Sequence, residues 1–243
     1  MRWLPFYLLV VAEASAQVPD SGRWQEMRFR AEEVDQRSED QFIEQTVSLA
    51  AAGRLDRDRA LLARAQRILA GLVHAAAAFK PEAAGWAWEV HITDDPAVDA
   101  ESRSGGKLLL GSAFVARLAL NDAELATLLA HEVAHIIAEH CRETLSEAML
   151  DSRRDLPLEV VEERLASDFP LQLRLSTLSA IQEREADQLG ILIAFRAGWP
   201  CGAAVSFYRK LALDSAAPSL LASHPGSASR LSLAQGMARL LED

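Results

Sequence analysis

Only two cysteines, Cys141 and Cys201, occur in 243 residues, so the chain is no disulfide-stapled scaffold and must rely on a packed core. A bridge between them stays open, because spacing in sequence fixes no Cα separation. Positive charge is also short: 25 Lys and Arg stand against 35 Asp and Glu, a net charge of −10, and no basic cluster interrupts it. That balance excludes nucleic acid as a partner of the whole surface. Missing too are an internal repeat, a low-complexity tail, and any apolar run near the roughly 20 residues of a membrane-spanning helix. What the chain has in quantity is apolar residues, 50% of the total, enough for one substantial core.

Met1 to Ala16 reads as a secretory signal peptide: Arg2, an apolar stretch from Trp3 to Ala12, then the small residues Ala14-Ser15-Ala16 before Gln17. No Cys near that point suggests a lipid anchor. The expectation is a single domain over residues 17–243, exported, to the periplasm before the extracellular space.

Apolar spacing predicts helices from Arg23 to about Ala51, over Asp56–Phe79, and over Leu171–Ala197 up to Gly198-Trp199-Pro200. A polar helix is expected over Cys141–Asp155, a short amphipathic piece over Leu156–Ala166, and further helices over Gly202–Leu213 and Ala228–Leu241. Trp86–Ile92 alternates as a half-buried strand, and Lys107–Gly111 is a second, apolar one. His74 and His91 read as incidental, on a helix and on the polar side of a strand. Leu156–Leu173 is apolar enough to line a lid or a partner surface.

The chemistry concentrates in His131-Glu132-Val133-Ala134-His135, inside a run from Ala123 to Ala138 without Gly or Pro. Histidines four apart lie about 400° apart on an α-helix, nearly one face, so both imidazoles can reach one ion. Glu132, about 100° away, is placed to work on a water beside that ion. Asn121 and Glu124 form a capping box for the helix start. His140, five residues after His135, is expected about 140° round the helix, facing away in a structural role.

A catalytic zinc takes three protein ligands and leaves a position open, so HExxH needs another donor. Glu183 offers a carboxylate, with Asp187 one turn on, able to accept a hydrogen bond from a ligand imidazole. The alternative for this segment is a helix face of surface charge.

Gly105-Gly106-Lys107, Asn121 to Leu125 running into HExxH, Glu183 to Asp187 followed by Gly190, Ala197-Gly198-Trp199-Pro200, and His224-Pro225 with Arg230 occur together in that order. In this the chain resembles the gluzincin peptidase family containing the CAAX prenyl protease, the heat-shock membrane protease, the mitochondrial overlapping-activity protease and the periplasmic β-barrel assembly-enhancing protease. It departs from them at Ala180, where relatives often carry Arg, and at Asp99-Ala100 with Ser104, where Asn-Ala and Pro are more usual.

The resemblance implies an α+β, mostly helical, zincin-like domain with a small antiparallel sheet packed on the HExxH helix. It also implies one Zn2+ held by His131, His135 and Glu183, Glu132 as catalytic acid/base, and His224 and Arg230 near the site as possible donors to an oxyanion. Substrates would be unfolded or misassembled polypeptide, paired along the strand Lys107–Gly111. A second reading is a chaperone-like or adaptor protein whose zinc is gated by His224 and seldom cleaves.

Overall fold

The stripe Leu61, Leu62, Ala65, Ile68, Leu69 and Leu72, spaced at helical intervals, lies buried along one side of a helix whose N-cap Asp58 accepts from the Leu61 N–H at 2.9 Å. Each large aliphatic side chain buried there stabilises the fold by about 1.5–3 kcal/mol. The partner of that stripe is the HExxH helix. In the computed structural model, which describes residues 15–150, 156–214 and 227–242, the elements run β1 (Ser15–Gln17), β2 (Trp24–Glu26), α1 (Ala31–Ala51), α2 (Arg59–Ala76), a 3-10 turn (Pro81–Gly85), β3 (Glu89–Thr93), β4 (Ala100–Arg103), β5 (Lys107–Gly111), α3 (Ser112–Arg117), α4 (Asp122–Ile137), α5 (His140–Met149), α6 (Leu158–Ser167), α7 (Phe169–Arg196), α8 (Gly202–Leu213) and α9 (Ser227–Glu242).

The HExxH helix α4 forms the centre, packed against α2, α7, α8 and the sheet. Residues 124–134 are all buried along it, and the expected capping box is present: Glu124 N–H donates to Asn121 Oδ1 at 3.0 Å and Asn121 N–H to Glu124 Oε2 at 2.9 Å.

The fold is mostly helical with small sheets, as expected, but the three-stranded sheet is mixed rather than antiparallel. Its order is β3-β5-β4, with β4 antiparallel and β3 parallel to β5. The cause is the tight turn at Gly105 and Gly106, φ +78° and +93°, which makes β4 and β5 neighbours and sends β3 to the other edge of β5. Residues 94–106, about a dozen, meet the length a parallel connection requires. All five residues of β5 are consequently buried.

Lys107–Gly111 is therefore an interior strand and cannot be the edge on which a substrate pairs. The edge is β4.

Helix α1 begins at Ala31 rather than Arg23, because a turn with positive φ at Asp20 and Gly22 folds Trp24–Glu26 back onto Ser15–Gln17. Ser15 and Ala16, expected as the end of a signal peptide, pair with Glu26 and Gln25; the rest of that segment lies outside the described residues. The helix expected from Leu171 begins at Phe169, with Pro170 in its first turn, where Pro is tolerated and Asp168 caps. Both cysteines are free thiols. His74 is exposed, whereas His91 is held between Asp56 (2.6 Å) and Glu89 (2.8 Å) rather than facing solvent. Among the described residues no helix is long and apolar enough to cross a membrane.

Candidate metal centre

Helices α4 and α7 cross almost backbone to backbone. A Cβ on Gly190 would sit 3.0 Å from the N and Cα of His131, so the absence of a side chain there permits the approach. Two turns earlier on the same helix, Glu183 then meets both histidines.

His131 Nε2 and His135 Nε2 are 3.0 Å apart, His135 Nε2 is 3.2 Å from Glu183 Oε1, and His131 Nε2 is 3.5 Å from Glu183 Oε2. A tetrahedral ion with bonds of about 2.0–2.1 Å needs donors about 3.3 Å apart. The three gaps bracket that value. His131 and Glu183 are buried and His135 is nearly so, and two imidazoles with a carboxylate are the donor set that suits Zn2+. The residues fit such an ion.

Each imidazole is held from behind. His131 Nδ1 lies 3.0 Å from Asp187 Oδ1, which also accepts from the Tyr208 hydroxyl at 2.6 Å. Arg230 grips Asp187 in a bidentate pair, Nη2 to Oδ1 at 2.7 Å and Nε to Oδ2 at 2.8 Å. Burial would raise the Asp187 carboxyl, but Arg230 and His131 outweigh it and keep it below the usual range. Burial pushes His135 down to about 3, holding it neutral, as a ligand must be. Burial and Arg230 also press on His131, yet hydrogen bonds to Asp187 and Glu183 raise it to about 9. Binding a cation at His131 thus displaces a proton.

Glu132 faces a cleft of about 770 Å³ whose walls include β4, α5 and α6. The Ser102 hydroxyl on β4 donates to Glu132 Oε2 at 2.6 Å, fixing the carboxylate beside the donor triad. The signature of peptidase family M48 matches residues 60–238. The chain belongs to that family.

Among its M48 relatives, the mitochondrial metalloendopeptidase OMA1 of Saccharomyces cerevisiae is 33% identical over 133 residues, 53% of this chain and 38% of its own length. OMA1 of Arabidopsis thaliana is 31% identical over 153 residues, 61% of this chain and 31% of that protein. The β-barrel assembly-enhancing protease of Yersinia pestis is 32% identical over 173 residues, 63% of this chain and 35% of that protein. The chain spans about a third of the length of these curated relatives. The resemblance to the gluzincin peptidases holds, and a metallopeptidase domain is the coarse description of the fold.

Of the residues singled out in the sequence, the M48 site brings together His131, Glu132, His135, Glu183 and Asp187. His224 lies outside the described residues. Arg230, expected near the site as an oxyanion donor, is buried and engaged on Asp187, with Nη2 3.4 Å from His131 Nε2 and Nη1 3.5 Å from Glu183 Oε2. His140 does not face away. Helix α4 stops at Ile137 and Glu139 takes a left-handed φ of 53°, so the helical angle count lapses and His140 swings back, its Nδ1 2.9 Å from Nδ1 of His135. Ser102 carried no signal in the sequence, since its register opposite Glu132 depends on the β4–β5 pairing.

Proposed function

We propose that the chain is a zinc metalloendopeptidase in which His131, His135 and Glu183 hold one Zn2+ and Glu132 is the catalytic acid/base. The convergence of three donors from α4 and α7 beside a carboxylate on the cleft wall carries this reading. Bound there, Zn2+ would supply Lewis acidity towards a peptide carbonyl and acidify water.

Glu132, oriented by Ser102, takes the proton of the attacking water and returns it to the leaving amine. Asp187 fixes His131 with its Nδ1–H outward, so that Nε2 carries the lone pair. Arg230 and Tyr208 position Asp187. His224 and Arg230, the latter with Nη1 3.5 Å from Glu183 Oε2, are the candidate donors to the oxyanion. An extended substrate pairs with the cleft-side edge of β4, and α6 contributes Leu165 and Ala166 to the opposite wall. Exposed Phe169 and Leu173 lie at the start of α7, immediately after α6. Unfolded or misassembled polypeptide in an exported compartment, the periplasm first, is the substrate that the resemblance supports, with residues 1–16 as leader and 17–243 as the single domain.

Glu132→Gln tests the assignment: the variant should bind about one zinc per chain yet fail to cleave an unfolded polypeptide that the wild type degrades. Retained cleavage overturns it. His224→Ala should lower cleavage if His224 is a donor; higher cleavage would instead mark it as a gate.

A further inference from the structure

We propose that Arg23, Glu185 and His140 form a strut that fixes the tautomer and orientation of His135, making the segment that carries Ser21 and Arg23 a working part of the metal centre. This inference rests on the zinc reading above.

The strut begins in the turn between β1 and β2. Arg23 donates from Nε to Glu185 Oε1 at 2.8 Å and from Nη2 to Glu185 Oε2 at 2.9 Å, clamping both oxygens. Its other contacts are on Glu143, Nη1 to Oε1 at 2.5 Å and Nη2 to Oε2 at 2.8 Å. Ser21 Oγ donates to Glu185 Oε1 at 3.0 Å, while Gln25 and Gln182 donate to Glu143 Oε2 at 3.0 and 2.9 Å. Glu185 then faces His140, with Oε2 3.4 Å from Nε2, and the opposite ring nitrogen of His140 reaches His135. His140, Glu143 and Glu185 are all buried.

Hydrogen-bond direction settles what this chain of contacts does. Glu185 Oε2 faces His140 Nε2 at 3.4 Å, a charge contact rather than a formed hydrogen bond, and a carboxylate only accepts, so with His140 neutral its proton sits on Nε2. Its Nδ1 therefore offers a lone pair. Across 2.9 Å, His135 must answer with Nδ1–H, which leaves the Nε2 lone pair aimed at Glu183 and His131. The opposite tautomer would put a proton on the ligand atom. Both imidazoles are thus backed by a carboxylate and an arginine: Asp187 with Arg230 behind His131, and Glu185 with Arg23 behind His135, the second reaching through one more ring.

Stability alone is a poor reason for this arrangement, because apolar residues of similar volume commonly serve a buried cluster as well or better. Orientation of a ligand is the function that its directionality serves.

The test compares wild type, His140→Phe, His140→Asn and Arg23→Met, using zinc affinity by chelator competition and the visible spectrum of the cobalt(II)-loaded protein. His140→Phe keeps ring volume but offers no acceptor. It should weaken zinc binding about 10–100-fold and alter the cobalt spectrum. His140→Asn, whose Oδ1 can stand where Nδ1 stood, should recover most of both. Arg23→Met should weaken zinc binding in the same direction, and combined with His140→Phe should add little. Should His140→Phe not fold, judged by thermal unfolding of the metal-free protein, the other two variants decide. Zinc affinity and cobalt spectrum unchanged in all folded variants, or fully additive losses, would overturn the strut while leaving the zinc reading intact. A wild type that takes up no zinc overturns the zinc reading itself, and the strut with it.

Discussion

Gly190→Ala isolates the contact that sets the geometry of the site. In an ordinary helix the change would stabilise the protein by about 1 kcal/mol. Here the added Cβ would lie 3.0 Å from the backbone N and Cα of His131 and 3.1 Å from the carbonyl carbon of Ala130. Carbon contacts settle at about 3.5–4.0 Å, so α4 and α7 must part by about 0.5 Å. Backbone cannot rotate out of the way as a side chain can, and overpacking of this kind costs about 1–3 kcal/mol. The metal-free variant should therefore be less stable than wild type by about 0–2 kcal/mol, lowering Tm by up to about 8 °C. The effect on the donors should be larger. The gaps from Glu183 to the two histidines, 3.2 and 3.5 Å, span the two helices, and a displacement of about 0.5 Å exceeds the roughly 0.2 Å that metal–ligand distances tolerate. Zinc affinity should fall at least about 10-fold. Thermal unfolding in chelator, followed by zinc titration, separates the two terms. A variant with Tm raised by about 2–4 °C and undiminished zinc affinity would refute the close crossing as the determinant of the site.

Three further changes address other parts of the molecule. Burial, with Glu139 and Glu32 nearby, raises the Asp35 carboxyl to about 6; since its unfolded value is lower, its ionisation penalises folding as pH rises from about 4 to about 6. Asp35→Asn should accordingly stabilise at pH 8 by about 1–2 kcal/mol after solvent screening, with little gain at pH 4, as read by urea denaturation at both; an equal gain at both would dismiss the charge. Ser102→Ala removes the hydrogen bond to Glu132 and should lower kcat/KM about 10-fold at unchanged zinc content, whereas Ser102→Thr retains activity; loss of zinc from the alanine variant would contradict the assigned role. Tyr208→Phe takes a buried donor from Asp187 and should cost about 1.5–3 kcal/mol in denaturant unfolding; an unaltered midpoint would show the bond to be dispensable.

What could be read from the sequence was what is decided within a turn or two of helix. The Asn121–Glu124 capping box, the pairing of His131 with His135, and the stacking of Glu183 over Asp187 follow from a period of 3.6 residues and hold wherever the helix goes. The same arithmetic misled at His140 because a left-handed residue ended the helix two positions after Ile137. It also placed a strand correctly but not its neighbours: the apolar run of β5 is equally consistent with an edge packed on a helix and with the buried middle it occupies. The N-terminal turn and Arg23 were invisible for a third reason. Their partners are Glu143 and Glu185, more than a hundred residues away, and no local pattern records such a meeting.

The free side of β4 bears on how the molecule behaves among copies of itself. A strand with unpaired backbone groups would ordinarily recruit a like edge and seed aggregation, yet this one is only four residues long and carries Glu101 and Arg103. Such a short, charged border offers few hydrogen bonds to any chain laid against it, so under the proposed function a substrate docked there would be held briefly, and the same border is a poor template for a second copy's edge.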